Sequence, residues 1–350
     1  MAKHFQQSPL WVQFKCAHGW THVTHNGVFV LIRTFRLGFF KVSLAYVPLA
    51  PEPDTRIPTP TAGKDIAYIK QLDYFSEELK FLLPKHTLCI RYDIPLDFAT
   101  VAERDGYNAT VSDMAALSHT DIRKSRVDVQ PPDSVLLAVS QSEDEMLAAM
   151  KSKWRYNVRY AQKHGVTVRK VTADSPDFSR ELESFYGLYK TTAARDGIGI
   201  HPLDYYRDLL ERGQASGGET DIALYIASHE GDDLAAIITL CTGEEAVYLY
   251  GCSSNEKRNL MPNYLIQWTA ICDAKKFGCK VYDFYGIPPT DDPNHPMHGL
   301  YLFKTGWGGA EVHRPGSFDI PLSRLYGLYT CAEKMRAFWH KKVMKKIRGR

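Results

Sequence analysis

At 350 residues and 39.7 kDa the chain exceeds one ordinary hydrophobic core and suits two domains. With 44% hydrophobic and 24% charged residues it groups with globular proteins, which excludes a disordered or fibrous chain. The net charge is only +3, but residues 151–170 hold seven basic groups and residues 334–350 hold eight, neither segment containing an acid. The other 313 residues carry 28 basic groups against 40 acidic ones. A mildly acidic protein with two basic segments suits a polyanion bound locally.

Seven scattered cysteines without a C-x-x-C pair argue against a disulfide framework or a zinc site. The N-terminus lacks a signal-type apolar core, and apolar runs end well short of the roughly 20 residues a bilayer requires. The expectation is a reduced, cytoplasmic protein.

Along the chain, residues 28–34 and 39–47 read as strands joined at Leu37-Gly38. The proline-rich stretch 48–60 reads as a loop. Residues 64–83 carry helical spacing (Ile66, Ile69, Leu72, Phe75, Leu79, Leu82), and 87–92 is a strand. Gln130-Pro-Pro-Asp marks a hinge. Ser142-x-x-Glu145 is a capping box opening a helix that is expected to run from 142 to 164, with Gly165 as its stop. Met146, Met150, Trp154 and Val158 form its buried stripe, and Lys151, Arg155, Arg159 and Lys163 form a basic row beside it. Such a row is ordinarily a solvated face. Solvated faces usually mix signs, however, and this one does not, which favours phosphate.

Residues 221–228, 234–242 and 246–251 then read as consecutive strands, followed by a loop, a helix from Pro262 to the stop at Gly278, and a strand over 279–286. Both halves therefore show antiparallel strands followed by strand–loop–helix–strand. This topological echo predicts an α/β fold of two tandem GNAT-like acyltransferase domains, in which a loop and helix N-terminus receive the acyl donor's phosphates. The loop Lys257-Arg-Asn-Leu-Met has no glycine to wrap a pyrophosphate, which weakens an acetyl-CoA reading. Further on, Phe303-Lys304 precedes glycines that would leave backbone accessible, a setting for a developing oxyanion. His295 and His298 with Asp291 and Asp292 lack a metal-ligand spacing, and no metal is expected. No serine elbow, Walker loop or dinucleotide fingerprint occurs.

Five segments, in order, resemble the FemABX family of aminoacyl-tRNA-dependent peptidyltransferases, which build peptidoglycan cross-bridges. They begin Gln7-Ser-Pro-Leu-Trp, Lys151-Ser-Lys-Trp-Arg-Tyr-Asn, Tyr248-Leu-Tyr-Gly-Cys, Met261-Pro-Asn-Tyr-Leu and Gly299-Leu-Tyr-Leu-Phe-Lys-Thr-Gly-Trp-Gly-Gly. The resemblance implies two GNAT-like domains, 1–132 with 318–350 on the acceptor side and 133–317 on the donor side. It implies that Lys304, beside Phe303, supports the transition state. Lys15 and Arg195 would hold the acceptor's diphosphate, and Asp93 and Tyr250 would line the acceptor site. The row Lys151, Arg155, Arg159 and Lys163 would meet tRNA. The implied substrates are aminoacyl-tRNA, as co-substrate in place of any cofactor, and UDP-MurNAc-pentapeptide or a lipid-linked muropeptide. Peripheral contact with a membrane surface fits the basic C-terminus. The short stretch between Lys190 and Thr220 leaves no room for a coiled-coil arm, as in compact members. Two rivals stay open: another acyl transfer on the same double fold, to an amine or a protein N-terminus, and a non-catalytic RNA- or membrane-binding protein.

Overall fold

A computed structural model of the chain describes residues 4–38, 40–53, 65–118 and 120–338. In chain order the elements begin with α1 Pro9–Ala17, β1 Thr21–His25, β2 Val28–Leu37, β3 Phe40–Val47, α2 Asp65–Leu79 and β4 Thr87–Asp93. They continue with α3 Val101–Ser118, β5 Arg123–Lys124, β6 Asp133–Ala138, α4 Glu143–Ala149, α5 Ser152–Lys163 and β7 Thr167–Val171. Next come α6 Phe178–Asp196, α7 Leu203–Ala215, β8 Thr220–His229, β9 Asp232–Thr242, β10 Glu245–Ser253 and α8 Pro262–Phe277. The last are β11 Val281–Asp283, α9 His298–Thr305, β12 Ala310–His313, β13 Ser317–Pro321 and α10 Tyr326–Phe338. Most of the proline-rich loop and the basic segment 341–350 lie outside the described residues.

The chain divides into two units. The unit Lys15–Pro132 with His313–Arg350 holds a six-stranded sheet, ordered β1-β2-β3-β4-β13-β5. The unit Met1–Phe14 with Asp133–Val312 holds a seven-stranded sheet, ordered β12-β6-β11-β10-β9-β8-β7. In the first, β1, β2 and β3 pair antiparallel, and after α2 the chain returns as β4, parallel to β3. In the second, β8, β9 and β10 pair antiparallel, and after α8 the chain returns as β11, parallel to β10. The echo read from the sequence is thus a repeated topology.

The units differ from the expected boundaries at both ends. Residues 4–14 join the seven-stranded unit because Phe5, Trp11 and Phe14 are buried in its core with Phe185, Tyr205 and Tyr206. Phe14 meets Tyr205 edge-on at 4.7 Å. The return to the six-stranded unit begins at His313 rather than at 318, since His313 bridges Phe98 ahead of β13. The strand expected over 279–286 is confined to Val281–Asp283, because Tyr285 and Gly286 take left-handed backbone and leave the sheet.

The helix expected over 142–164 is two. The capping box holds, with Ser142 Oγ accepting the Glu145 N–H and the Glu145 carboxylate accepting the Ser142 N–H. The chain then breaks at Met150, which is extended, and at Lys151, whose ψ of 137° is not helical. A tertiary bond causes the break: the Lys151 N–H goes to the Gly306 carbonyl at 2.9 Å instead of continuing the helix. Met146, Met150, Trp154 and Val158 nevertheless share one core across it.

Candidate active site

Lys304 sits in the last turn of α9, buried in the seven-stranded unit. Its Nζ donates to the Tyr285 carbonyl and, at 3.0 Å, to the Gly286 carbonyl, and it lies 5.2 Å from the Tyr248 ring centroid. Those carbonyls face the lysine because Tyr285 and Gly286 have φ of 53° and 44°. Such backbone is costly for a tyrosine and persists only where neighbours hold it. Asp283 is that neighbour: it is fully buried, and its carboxylate accepts the Tyr285 N–H at 2.7 Å and the Ser134 hydroxyl. Burial pulls the Lys304 pKa down to about 7, with the Asp283 charge in partial opposition.

Phe303 has a packing role beside it. Its ring meets Tyr264 at 5.4 Å and Trp307 at 5.8 Å, and its carbonyl accepts the Trp154 indole N–H. The following glycines do not expose backbone as expected. A Cβ on Gly306 would lie 2.2 Å from the Trp154 ring, one on Gly308 would strike Ala149, and one on Gly309 the Leu136 carbonyl. These positions are glycine because other chain segments press on them.

Tyr248 and Tyr250 would share a face in a regular strand. A bulge between them pairs Tyr248 with Thr239 and Tyr250 with Ile238, so they point to opposite sides of β10. Tyr248 packs into the core beside Lys304, with Gly251 leaving space for its hydroxyl, while Tyr250 faces Tyr206 at 5.1 Å and Tyr189 at 6.4 Å. Arg195, at the end of α6, donates to the Ser253 carbonyl, to Asn255 and to Asp196, which fixes its guanidinium at the end of β10.

In the six-stranded unit, Asp93 ends β4 and is buried, accepting hydroxyls from Tyr46 and Ser317. Burial pushes its pKa up to about 6, against the pull of those two hydrogen bonds. Lys15 lies 5.4 Å from the Trp20 ring, and Arg33 lies 5.7 Å from the same ring. Burial and the Arg33 charge both lower the Lys15 pKa. Two cations thus share one indole, and Arg33 also donates to the His18 carbonyl at 2.8 Å. Arg33 went unnoticed in the sequence because it is one of several charges in an alternating strand.

The basic row is uneven. Arg155 turns back to donate to the Leu147 and Ala148 carbonyls at 2.9 and 3.3 Å, capping the α4 end that the break leaves open. Lys151, Arg159 and Lys163 are exposed. One position along the helix runs an aromatic row the sequence reading missed: Tyr156 and Tyr160 rings are 5.7 Å apart, and Tyr160 and His164 stack at 3.9 Å.

Among the described residues, one group of three has metal-ligand atoms close together: His4, Glu245 and Asp283. His4 Nδ1 accepts the Gln6 N–H at 3.3 Å, and Nε2 lies 4.0 Å from the Glu245 carboxylate. His295 and His298 are not gathered with acids: His295 Nδ1 accepts the Met297 N–H within its turn. The loop cation Lys257 is paired with Asp232 at 2.8 Å and Glu230 at 3.3 Å. No helix among the described residues is long and apolar enough to cross a membrane.

The crystal structure of FemX superposes with a TM-score of 0.70 at 20% identity, covering 93% of this chain and 94% of that one. The C-terminal domain of a lysylphosphatidylglycerol synthetase from Agrobacterium fabrum superposes at 0.53 with 12% identity, covering 92% and 89%. Lipid II:glycine glycyltransferase of Staphylococcus aureus (strain USA300) is 23% identical over 59% of this chain and 62% of its own length. That of Staphylococcus haemolyticus is 22% identical over 63% and 66%. The chain thus spans less than two thirds of the length of these curated relatives. The FemAB family model matches residues 94–215 and 219–334, most of the chain, and on that match this protein belongs to the FemAB family.

Proposed function

We propose that this protein is an aminoacyltransferase of peptidoglycan synthesis that moves an amino acid from aminoacyl-tRNA to the stem-peptide amine of a cell-wall precursor. The observation that carries the reading is Lys304: a buried ammonium held by two backbone carbonyls rather than by a carboxylate, in a FemAB-family fold. Two of its three N–H groups are directed to Tyr285 and Gly286, and the third is assigned to the substrate oxygen. The curated relatives' names, with glycine and lipid II in them, support a lipid-linked muropeptide as acceptor.

In the reaction the acceptor amine attacks the ester carbonyl carbon, forming a C–N bond and a tetrahedral oxyanion. Collapse breaks the ester C–O bond, and the proton lost by the amine ends on the departing tRNA oxygen. The ester is already activated, so the reading requires no metal, cofactor or covalent enzyme intermediate. Lys304 donates to the oxyanion in a water-poor setting, where a fixed donor contributes most. Tyr248 covers the ammonium, and Asp283 acts through Tyr285 and Gly286 as a positioning residue. Asp93 is assigned to the acceptor amine, accepting one of its N–H groups. Lys15 and Arg33 are assigned to its phosphates, and Arg195 keeps that role with its present partners exchanged for substrate. On α5, Lys151, Arg159 and Lys163 would contact tRNA phosphates while Tyr156 and Tyr160 offer a stacking surface for unpaired bases.

The test offers charged tRNAs one at a time with the nucleotide-linked and the lipid-linked precursor and weighs the product. A mass gain of one or more aminoacyl residues, dependent on charged tRNA, is expected. No gain with any pair, under conditions where an authentic FemAB-family transferase works, would contradict the proposal.

A further inference from the structure

In the six-stranded unit β1 pairs with β2 only over Val28 to Ile32, and β4 pairs with β3 only from Ser43 onward. Residues 33–37 and 40–42 therefore project as a two-stranded ribbon, roughly 10 Å past the Ser43–Thr87 pair at ~3.3 Å per residue. Phe35 pairs directly with Val42 and Arg36 with Lys41, so the ribbon has an apolar face carrying Phe35, Phe40 and Val42 and a basic face. Phe40 is 78% exposed. The loop between α2 and β4 reaches the same end of the sheet, as the Ser43 N–H donates to the His86 carbonyl. This loop carries Phe81, 82% exposed, and Leu82, 48% exposed. Segments 35–41 and 80–86 together contain Arg36, Lys41, Lys80 and Lys85 and no acid. Lys80 lies 5.7 Å from the Phe81 ring and pairs with Glu77 one turn back.

We infer that this end of the six-stranded sheet docks on an anionic phospholipid surface, with Phe40 and Phe81 entering the headgroup–acyl boundary and the lysines and Arg36 staying at headgroup level. Isolated aromatic tips among basic side chains are what an interface of that composition accepts: the rings gain an apolar environment while the cations remain hydrated beside phosphate. A second copy is a poor occupant, since like faces would set basic groups against each other. The choice of lipid over an acidic protein rests on the lipid-linked acceptor proposed above; exposure and charge carry the surface itself.

The full-length protein is floated with phosphatidylglycerol/phosphatidylethanolamine vesicles and, separately, with phosphatidylcholine vesicles, neither containing an acceptor. Two doubles, Phe40→Ser/Phe81→Ser and Lys41→Glu/Lys85→Glu, keep the basic 341–350 segment intact and so separate its contribution. Preferential binding to the anionic vesicles is expected, falling at least about tenfold in each double. Thermal melts should be unaltered, because these side chains are exposed. A wild-type protein that stays unbound overturns the inference, as does binding that both doubles retain within about threefold. Turnover on the lipid-linked precursor dispersed in detergent, without vesicles, is measured in parallel and should be unchanged in both. Loss of transfer in the wild type would count against the proposed function, and loss of flotation against this surface alone.

Discussion

Arg91 in the six-stranded unit and Lys304 in the seven-stranded unit are both buried cations, held in opposite ways. Arg91 makes a bidentate pair with Asp319 at 2.6 and 2.8 Å and reaches Glu333 at 2.8 Å, with Tyr326 and Tyr329 hydroxyls completing the carboxylates' shells. Burial opposes its charge, but the bonds to Asp319 and Glu333 more than offset that and push its pKa further up. Lys304 has backbone dipoles and a tyrosine ring, and burial brings its pKa down to about 7. A cation neutralised by two carboxylates clamps α10 to the sheet. A cation left with dipoles keeps charge for something that arrives later.

Exchange of each residue sharpens the contrast. Lys304→Met should lower kcat by about a thousandfold, as loss of a preorganised oxyanion donor does, while a cooperative melt persists. Arg91→Met should do the reverse, costing about 3–5 kcal/mol in urea unfolding with turnover per folded molecule unchanged. Asp93 offers a third case, a buried carboxylate with hydroxyl donors only. The Asp93→Asn enzyme should show an acceptor KM raised about tenfold, the scale of one charge-assisted bond. In the wild type that KM should rise as pH falls through about 6, where the carboxylate takes up its proton, and the variant should lack the rise.

A smaller effect separates members of one row. Arg159→Glu with Lys163→Glu should weaken tRNA several-fold and reduce the salt dependence by about two ions. Arg155→Gln should leave that dependence nearly intact and cost about 1 kcal/mol of stability, because this arginine caps α4. Equal salt slopes for the two would remove the distinction.

Sequence pattern was informative wherever the cause is local. The strand alternation and turns of β2–β3 and β8–β10, the Ser142 capping box and the Gly165 and Gly278 stops were all legible. Lys304 stood out through its motif. What pattern missed depends on distant partners. The break at Met150–Lys151 arises from the Gly306 carbonyl, and Phe5 and Trp11 choose their unit by packing against residues about 180 positions away. The bulge that turns Tyr248 and Tyr250 apart adds no sequence signal of its own. The grip of Tyr285 and Gly286 on Lys304 follows from a left-handed turn whose determinant, Asp283, looks like an ordinary strand residue.

The most direct measurement is kcat/KM against pH for the wild type and for Lys304→Arg, since that ratio reports ionisations of the free enzyme. The oxyanion donor must be protonated, so activity belongs below the Lys304 pKa and is lost above it. A single ionisation near 7 on the alkaline limb is expected for the wild type. That limb should be absent from whatever activity the arginine variant retains, since guanidinium stays charged. A wild-type kcat/KM that stays level or rises from pH 6 to 9, or an alkaline limb shared by both enzymes, would contradict the role given to Lys304.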